Sequence, residues 1–147
     1  MILPDINLLI HAHNTDSPQH DLAREWWDEQ LGGTTGIALA WPVMLGFVRI
    51  TTHRGILTDP WPVEEALNRV EEWLSLPHVF IPLPSDRHFP LFKSLLQKAG
   101  TAGNLTTDAH LAALAIERGL VLHTTDNDFA RFGGLKWINP LAARRKA

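Results

Sequence analysis

Short apolar runs alternate with amphipathic stretches along the chain, and this pattern predicts its strands and helices. A short apolar run bounded by polar or turn residues is typical of a strand buried in a parallel sheet. Five such runs begin near Ile2, Ile37, Val79, Leu120 and Trp137, and the last is predicted to be an edge strand. Strands that alternate with helices favour a mainly parallel sheet in a three-layer α/β/α fold.

Capping and turn residues mark where the intervening helices begin and end. Ser17-Pro18 predicts a helix start, because serine caps free N–H groups and proline fits the first helical turn. Gly32-Gly33 predicts the end of that helix. Trp41-Pro42 predicts the start of the next helix, and Ser85 predicts a cap further along. The basic residues Arg144–Lys146 predict a frayed C-terminal tail from about residue 142.

Three aspartates stand at strand ends or in a helix's first turn. Asp5 follows the first strand and Asp126 follows the fourth, so both lie at one edge of the sheet if these strands are parallel neighbours. Asp108 begins the helix that leads into the fourth strand, and periodicity alone does not bring it to that edge. Each aspartate taken singly is explained equally well as a helix cap.

Composition restricts the classes of function. The chain has 147 residues, of which 45% are hydrophobic and 20% charged, as expected for one domain with a real core. The formal net charge of −3 gives no overall basic field, so nucleic-acid binding would need a local patch or a metal ion. The absence of cysteine excludes disulfides and thiolate chemistry. No apolar run approaches a membrane span and no leader is evident, so we expect a cytoplasmic protein that binds no membrane.

Four stretches of the sequence resemble PIN-domain proteins, and most closely the VapC-like ribonuclease toxins of bacterial toxin–antitoxin modules. The stretches are PDINLLIHA, WPVMLGFVRITTHRGI, LTTDAHLAALAIERG and TTDNDFARFGGLKWINPL. Because they cover nearly the whole chain in the family's order, the resemblance implies a single PIN domain over residues 1–147. It also implies the three-layer α/β/α PIN-like fold.

The resemblance also implies a metal-dependent endoribonuclease site. In the family, a cluster of acidic side chains holds Mg²⁺ or Mn²⁺ for RNA cleavage. By matching position to position, the metal-binding acids map to Asp5, Asp108 and Asp126. Asn7 matches the polar companion of the first acid, and Thr125 matches the hydroxyl residue before the last acid.

One position departs from the family pattern. Many PIN nucleases carry a glutamate in a central stretch similar to T-E-N-G-F-V-R, whereas here Met44 occupies the place of that acid. Methionine is a poor ligand for a hard cation. Asp128 is a possible extra acid, although an exposed helix residue explains it as well. The alternative function is therefore a weak or inactive PIN-like domain that binds RNA or protein.

The residue types suit phosphodiester hydrolysis. The reaction needs an activated water, in-line geometry and neutralisation of phosphate charge, which a hard divalent cation can supply. Two carboxylates about 4 Å apart repel by about 4 kcal/mol at a partly exposed site. Converging acids should therefore take up protons or metal. Without cysteine, Mg²⁺ or Mn²⁺ is favoured over structural zinc.

Partners follow from the resemblance rather than from composition. It implies a homodimer and a cognate antitoxin whose C-terminal segment covers the acidic site. Arg49, His53 and Arg54 follow or end the central helix and are candidates for contacts with the RNA backbone, although plain surface residues explain them equally well.

A third alternative is a phosphotransfer enzyme of the haloacid-dehalogenase kind, with Asp5 as the nucleophile. Such enzymes carry a second acid two residues after the nucleophile, and Asn7 occupies that position here.

Overall fold

The sheet has the predicted number of strands and is fully parallel. A computed structural model describes residues 1–145, which contain β1 (Ile2–Pro4), β2 (Ile37–Ala38), β3 (Val79–Phe80), β4 (Val121–His123) and β5 (Trp137–Ile138). The strand order is β3-β2-β1-β4-β5, and every neighbouring pair is parallel. The predicted edge position of the Trp137 strand is confirmed.

Helices flank this sheet and complete the three-layer α/β/α fold. Residues 1–145 contain α1 (Ile6–His13), α2 (His20–Gly32), α3 (Trp41–Thr51), α4 (Val63–Leu74), α5 (His88–Ala99), α6 (Thr106–Arg118) and α7 (Ala142–Arg145). Two short 3-10 helices span Gly103–Leu105 and Asn127–Arg131. Over this described range, none of the helices has both the length and the apolar character that crossing a bilayer requires.

The core forms where the strands meet the apolar faces of the helices. Leu3, Ile37 and Leu122, one from each of the three central strands, are completely buried. Trp27 of α2 packs edge-on against Trp73 of α4, with ring centroids 5.4 Å apart. This burial supplies the main stabilising free energy of the fold, and the close packing holds the ends of the strands in fixed positions.

The order of the strands creates a crevice at one edge of the sheet. From β1 the chain builds β2 and β3 on one side, then crosses to β4 on the other side of β1. The carboxyl ends of β1 and β4 are therefore neighbours at the point where the winding reverses. Open α/β sheets bind ligands at this position.

Two predicted helix starts are wrong by two or three residues. α2 begins at His20 without a side-chain cap, because the Ser17 hydroxyl instead accepts from the Gln19 N–H in the preceding turn. α5 begins at His88, because the Ser85 hydroxyl donates to Glu117 of α6. In both places a local turn or a tertiary contact uses the serine. The predicted start at Trp41 and the predicted end at Gly32-Gly33 are confirmed.

The prediction of a frayed tail is wrong as far as Arg144. Its guanidinium lies 3.4 Å from Glu25 and also contacts Glu29, so α7 is tied to α2. Lys146 lies outside the described residues.

Candidate active site

Asp5 lies where β1 becomes α1, buried at the crevice. Its backbone is extended, and its own N–H donates to the carbonyl of His123 at 2.9 Å, continuing the pairing with β4. Its Oδ1 accepts from the Ile6 N–H at 2.8 Å, which caps α1. Only 3% of Asp5 is exposed. The helix-cap explanation is therefore correct for Asp5, but capping occupies one of its two carboxylate oxygens.

The other oxygen of Asp5 is held by Thr124. Pro4 pairs with His123 in the sheet, and the next residue on each strand places Asp5 beside Thr124. The Thr124 hydroxyl donates to Asp5 Oδ2 at 2.7 Å and accepts from the Asp126 N–H at 3.0 Å. This buried hydroxyl thereby positions two of the predicted acids at once.

Asp126 follows β4 and caps the 3-10 helix of Asn127–Arg131. Its Oδ1 accepts from the N–H of Asp128 at 2.9 Å. Asp126 is half-buried, whereas Asp128 is exposed. The last acid and the possible extra acid are thus held side by side at the same edge of the sheet as Asp5.

Asp108 also reaches this edge, which strand and helix periodicity did not predict. It lies in the first turn of α6, and Gly119 and Leu120 alone connect the end of α6 to the start of β4. Because this link is so short, α6 runs antiparallel to β4. The helix must therefore begin at the carboxyl end of the strand, and this topology brings Asp108 to the edge to which periodicity alone did not assign it.

The four carboxyls share one anionic region. Burial, followed by the charges of Asp5, Asp126 and Asp128, raises the pKa of Asp108 to about 6. Burial also raises the pKa of Asp5, against the hydrogen bonds from Thr124 and the Ile6 N–H, while the charge of Asp126 adds to the rise. Among the described residues no arginine or lysine offsets these charges at either carboxyl. The region is thus short of positive charge.

This donor set fits a hard divalent cation. All of its ligating atoms are oxygens, as Mg²⁺ and Mn²⁺ prefer, and it lacks internal compensation of its charge. Within residues 1–145, no three side chains of His, Cys, Asp or Glu converge closely enough to hold an ion by themselves. A cation here would keep several waters, which is usual for Mg²⁺ bound by one or two carboxylates.

The other predicted site residues differ in their surroundings. Asn7 is exposed in the first turn of α1, close to Asp5 in the chain. Thr125 is half-buried, and in the described chain it is the hydroxyl of its neighbour Thr124 that forms hydrogen bonds to Asp5 and Asp126. Met44 is 3% exposed in the N-terminal part of α3 and belongs to the core, so it supplies no oxygen.

The predicted RNA-backbone residues lie away from the aspartates. α3 follows β2 closely and therefore begins at the carboxyl edge of the sheet and runs back along it. Arg49 is eight positions after Trp41, which corresponds to about 12 Å along the helix axis. His53 and Arg54 follow the end of α3 and are exposed. The structure does not bring these three residues to the acidic region.

Thr124 is the site residue that the sequence analysis missed. The stretch Thr124-Thr125-Asp126 offers two hydroxyls, and the resemblance pointed to the second. Strand register would have indicated Thr124, because only the residue directly after β4 continues the strand pairing and so lies beside Asp5.

Comparisons with known proteins agree with this architecture. Residues 2–135 match the family model described as PIN domain. Ribonuclease VapC33 of Mycobacterium tuberculosis is 47% identical over 141 residues, which cover 96% of this chain and 99% of that protein. Ribonuclease VapC37 of the same organism is 39% identical, over 97% of this chain and 99% of that protein.

A solved structure extends the comparison to the fold. The crystal structure of VapBC2 from Rickettsia felis bound to a DNA fragment from their promoter contains a chain that superposes with a TM-score of 0.63 and 20% identity. The superposition covers 95% of this chain and 98% of that one. The match to the family model and to these relatives over almost the entire sequence assigns the protein: it belongs to the PIN-domain family, with the VapC ribonucleases as its relatives.

Proposed function

We propose that this protein is a metal-dependent endoribonuclease, the toxin of a toxin–antitoxin module, which hydrolyses phosphodiester bonds in RNA. The observation that carries the proposal is the gathering of Asp5, Asp108 and Asp126 at the carboxyl ends of β1 and β4. Relatives named as ribonucleases at up to 47% identity support the activity. Membership of the PIN family argues against the haloacid-dehalogenase alternative, as does Asn7 at the position of the second acid.

The chain's own residues would fix the geometry of the reaction. Thr124 and the Ile6 N–H hold both oxygens of Asp5, so that this carboxylate points in one direction. Asp126 is oriented by its cap on the following 3-10 helix, and Asp108 by the start of α6. We assign Mg²⁺ or Mn²⁺ to these three acids, of which one or two would ligate the ion directly and the rest through its bound waters. When bound, such an ion neutralises phosphate charge and makes a water more acidic.

The remaining predicted residues have secondary roles in this proposal. Asn7 would present a neutral oxygen or amide to the substrate from the first turn of α1, and Thr125 would orient a carboxylate or a water. Asp128 would add charge at the exposed rim. Arg49, His53 and Arg54 would contact the RNA backbone only in a substrate long enough to reach the far end of α3.

The proposal includes the partners implied by the family. A cognate antitoxin would cover the acidic region. The presence of a chain of the same fold in the VapBC2 complex from Rickettsia felis supports a partner of this kind. We also propose a homodimer, one PIN domain over residues 1–147 and a cytoplasmic location. If a small open reading frame adjoins this gene, its coexpression with the protein, followed by purification and mass measurement, tests both the antitoxin and the homodimer.

The decisive experiment is a cation titration with labelled RNA. The purified protein should cleave RNA with added Mg²⁺ or Mn²⁺, should lose the activity in EDTA, and should regain it when the ion is restored. The Asp5→Asn variant, purified identically, controls for contaminating ribonuclease. Equal cleavage by both preparations would remove the proposal. Binding of RNA without cleavage would favour the inactive PIN-like domain, for which the buried Met44 in place of an acid is the supporting observation.

A further inference from the structure

A second cavity opens beside the acidic region, among the first turns of three helices. Its volume is about 310 Å³, and its lining residues are Pro42 of α3, His88, Phe89 and Phe92 of α5, and Thr106, Thr107 and His110 of α6. Thr107 directly precedes Asp108, so their Cα atoms are about 3.8 Å apart. The cavity and the acidic region therefore meet at the first turn of α6.

Aromatic rings form one wall of this cavity. The rings of His88 and Phe92 are stacked, with centroids 6.4 Å apart and an angle of 17° between their planes. Phe89 lies 6.1 Å from Phe92 and is 68% exposed. Lys93 is exposed one helical turn after Phe89 and hence lies on the same face of α5. Flat apolar rings next to a cation provide a surface on which an unpaired nucleobase can stack while its phosphate meets positive charge.

A chain of hydrogen bonds orients the polar group of this cavity, the imidazole of His110. Ser85 Oγ donates to Glu117 Oε2 at 2.8 Å, and His88 Nδ1 lies 3.1 Å from Glu117 Oε1. His88 Nε2 lies 2.9 Å from His110 Nδ1. The Glu117 side chain is only 3% exposed, and that of His88 13%. His88 and Glu117 are therefore shielded from solvent, whereas Ser85 at the start of the chain is exposed and His110 at its end is half-buried.

This chain of hydrogen bonds determines which ring nitrogen of His110 is free for the cavity and whether that nitrogen donates or accepts a hydrogen bond. Burial raises the pKa of Glu117, but hydrogen bonds from Ser85 and His88 outweigh burial and lower that pKa. Because a carboxylate can only accept, His88 Nδ1 carries the hydrogen, and its Nε2 then accepts from His110 Nδ1–H. With neutral rings, His110 Nε2 remains as an acceptor without a partner among the described residues. An aliphatic protein side chain in the cavity would leave this acceptor unsatisfied.

We propose that this cavity binds one unpaired RNA base next to the bond that is cut, stacked against Phe89 and Phe92 with its amino group donating to His110 Nε2. The proposal rests on the ribonuclease function proposed above and deepens it by naming a substrate feature. Adenine, cytosine and guanine carry an exocyclic amino group, whereas the only base N–H of uracil lies between two carbonyl oxygens. His110 would contact the base, and His88, Glu117 and Ser85 would be positioning residues.

Binding of short RNA to the metal-free protein tests the proposal separately from cleavage. Fluorescence anisotropy with labelled oligoadenylate and oligouridylate should show tighter binding of oligoadenylate. Phe89→Ala should weaken the binding of both by roughly tenfold, as removal of a stacking ring does. His110→Phe keeps an aromatic ring but removes the acceptor, so it should abolish the preference for oligoadenylate. Leu67→Ala truncates an apolar side chain of comparable exposure on α4 and should change nothing.

Three results would overturn the base-binding cavity. They are the absence of binding by the unmodified protein, binding by Phe89→Ala that equals it, and a lower sedimentation mass for Phe89→Ala, which would assign the wall to contact with a second copy. Since Phe89 is exposed, its truncation leaves the core intact. Binding with the predicted base preference but without Mg²⁺-dependent cleavage would remove the ribonuclease proposal and keep the cavity.

Discussion

The hydroxyl of Thr124 donates to the carboxylate of Asp5 at 2.7 Å, across 119 residues of sequence. The parallel register of β1 and β4 creates this contact, because it pairs Pro4 with His123 immediately before the two residues. The same hydroxyl accepts from the Asp126 N–H. One buried threonine thus orients the first acid and the loop that carries the last one, and it favours the charged form of Asp5 against the effect of burial.

Thr124→Val should therefore impair both stability and activity. Valine has nearly the same shape but leaves Asp5 Oδ2 and the Asp126 N–H without their partner, which costs about 1–3 kcal/mol. We expect a lower urea midpoint and at least a tenfold slower cleavage of RNA. Thr125→Val is the matched control and should change stability by no more than about 0.5 kcal/mol. If Thr125→Val were the more damaging variant in both assays, the assignment of the orienting role to Thr124 would be wrong.

Asp5→Asn should abolish metal-dependent cleavage while the protein stays folded. Asparagine keeps an oxygen for the Ile6 N–H, so α1 retains its cap, but the charge that attracts the cation is lost. We expect cleavage to fall by about a hundredfold or more, and Mn²⁺ binding measured by calorimetry to weaken in parallel. Circular dichroism checks the fold. Full cleavage activity of Asp5→Asn, even with weakened Mn²⁺ binding, would show that the Asp5 carboxylate is not needed for RNA cleavage.

Asp108→Asn should stabilise the metal-free protein, and the gain should depend on pH. Folding raises the pKa of Asp108 from 3.8 to about 6, chiefly through burial and then through the other three acids. The folded state thus binds more protons than the unfolded state within this range, and stability falls as pH rises through it. Because Asp108 is half-exposed, we expect a gain of no more than about 1 kcal/mol above pH 6, after allowance for solvent screening.

Thermal unfolding at several pH values, with and without Mg²⁺, measures this effect. The gain of Asp108→Asn should disappear below about pH 4, where the native carboxyl is protonated in both states. Added Mg²⁺ should stabilise the unmodified protein more than the variant, because a ligand that binds only the folded state raises its stability. A variant that is less stable at neutral pH without metal would contradict the clustering of the four acids.

His123→Phe should stabilise the protein, and more so in acid. His123 stacks on Trp26 with ring centroids 5.6 Å apart, and its buried Nδ1 has no hydrogen-bond partner within residues 1–145. Burial, with a contribution from the N-terminal ammonium group, lowers its pKa from 6.5 to about 4. The unfolded state thus binds more protons between these values, and stability is lost as pH falls from about 6.5 towards 4.

Phenylalanine keeps the stacked ring. It removes both the unpaired buried nitrogen and the proton uptake that favours the unfolded state in acid. We expect a gain of about 1 kcal/mol at pH 7.5 from the lost unsatisfied nitrogen, and a gain roughly 1–2 kcal/mol larger at pH 5. Urea unfolding at the two pH values measures the difference. Equal gains at both would show that His123 takes up no proton on unfolding.

The order of strands and helices could be predicted because each apolar run is short and each lies between clear turn residues. The first residue of a helix was harder to predict wherever a serine had a competing partner. Ser85 has the chemistry of a cap, yet its hydroxyl binds Glu117, which lies 32 residues later in the sequence. Likewise, the two glutamates that hold Arg144 lie on a helix far away in sequence. No local pattern contains such contacts.

The acids themselves stand out in the sequence, but their convergence depends on two facts about topology. Neighbouring positions of β1 and β4 bring Asp5 and Asp126 together, and the antiparallel run of α6 brings Asp108 to them. The second fact follows from the short link at Gly119-Leu120, which the sequence displays. Strand order, in contrast, is decided by packing over the entire sheet, so the sequence analysis could state the neighbourhood of the first and fourth strands only as a condition.

Met44→Glu tests whether the departure from the family pattern lies at the metal site. Met44 is buried near the start of α3, and α3 begins at the same edge of the sheet as the acidic region. A glutamate there would add a charge to a region that already lacks compensation, so we expect a loss of more than about 2 kcal/mol without metal. If its carboxylate reaches the acids, Mg²⁺ should recover a large part of this loss and cleavage should increase.

Met44→Gln is the matched control, because glutamine has the shape of glutamate but no charge. This variant should be destabilised, and Mg²⁺ should stabilise it no more than it stabilises the unmodified protein. Equal behaviour of the two variants in Mg²⁺ would place residue 44 outside the metal's reach, and the chain would then depend on Asp5, Asp108 and Asp126 alone.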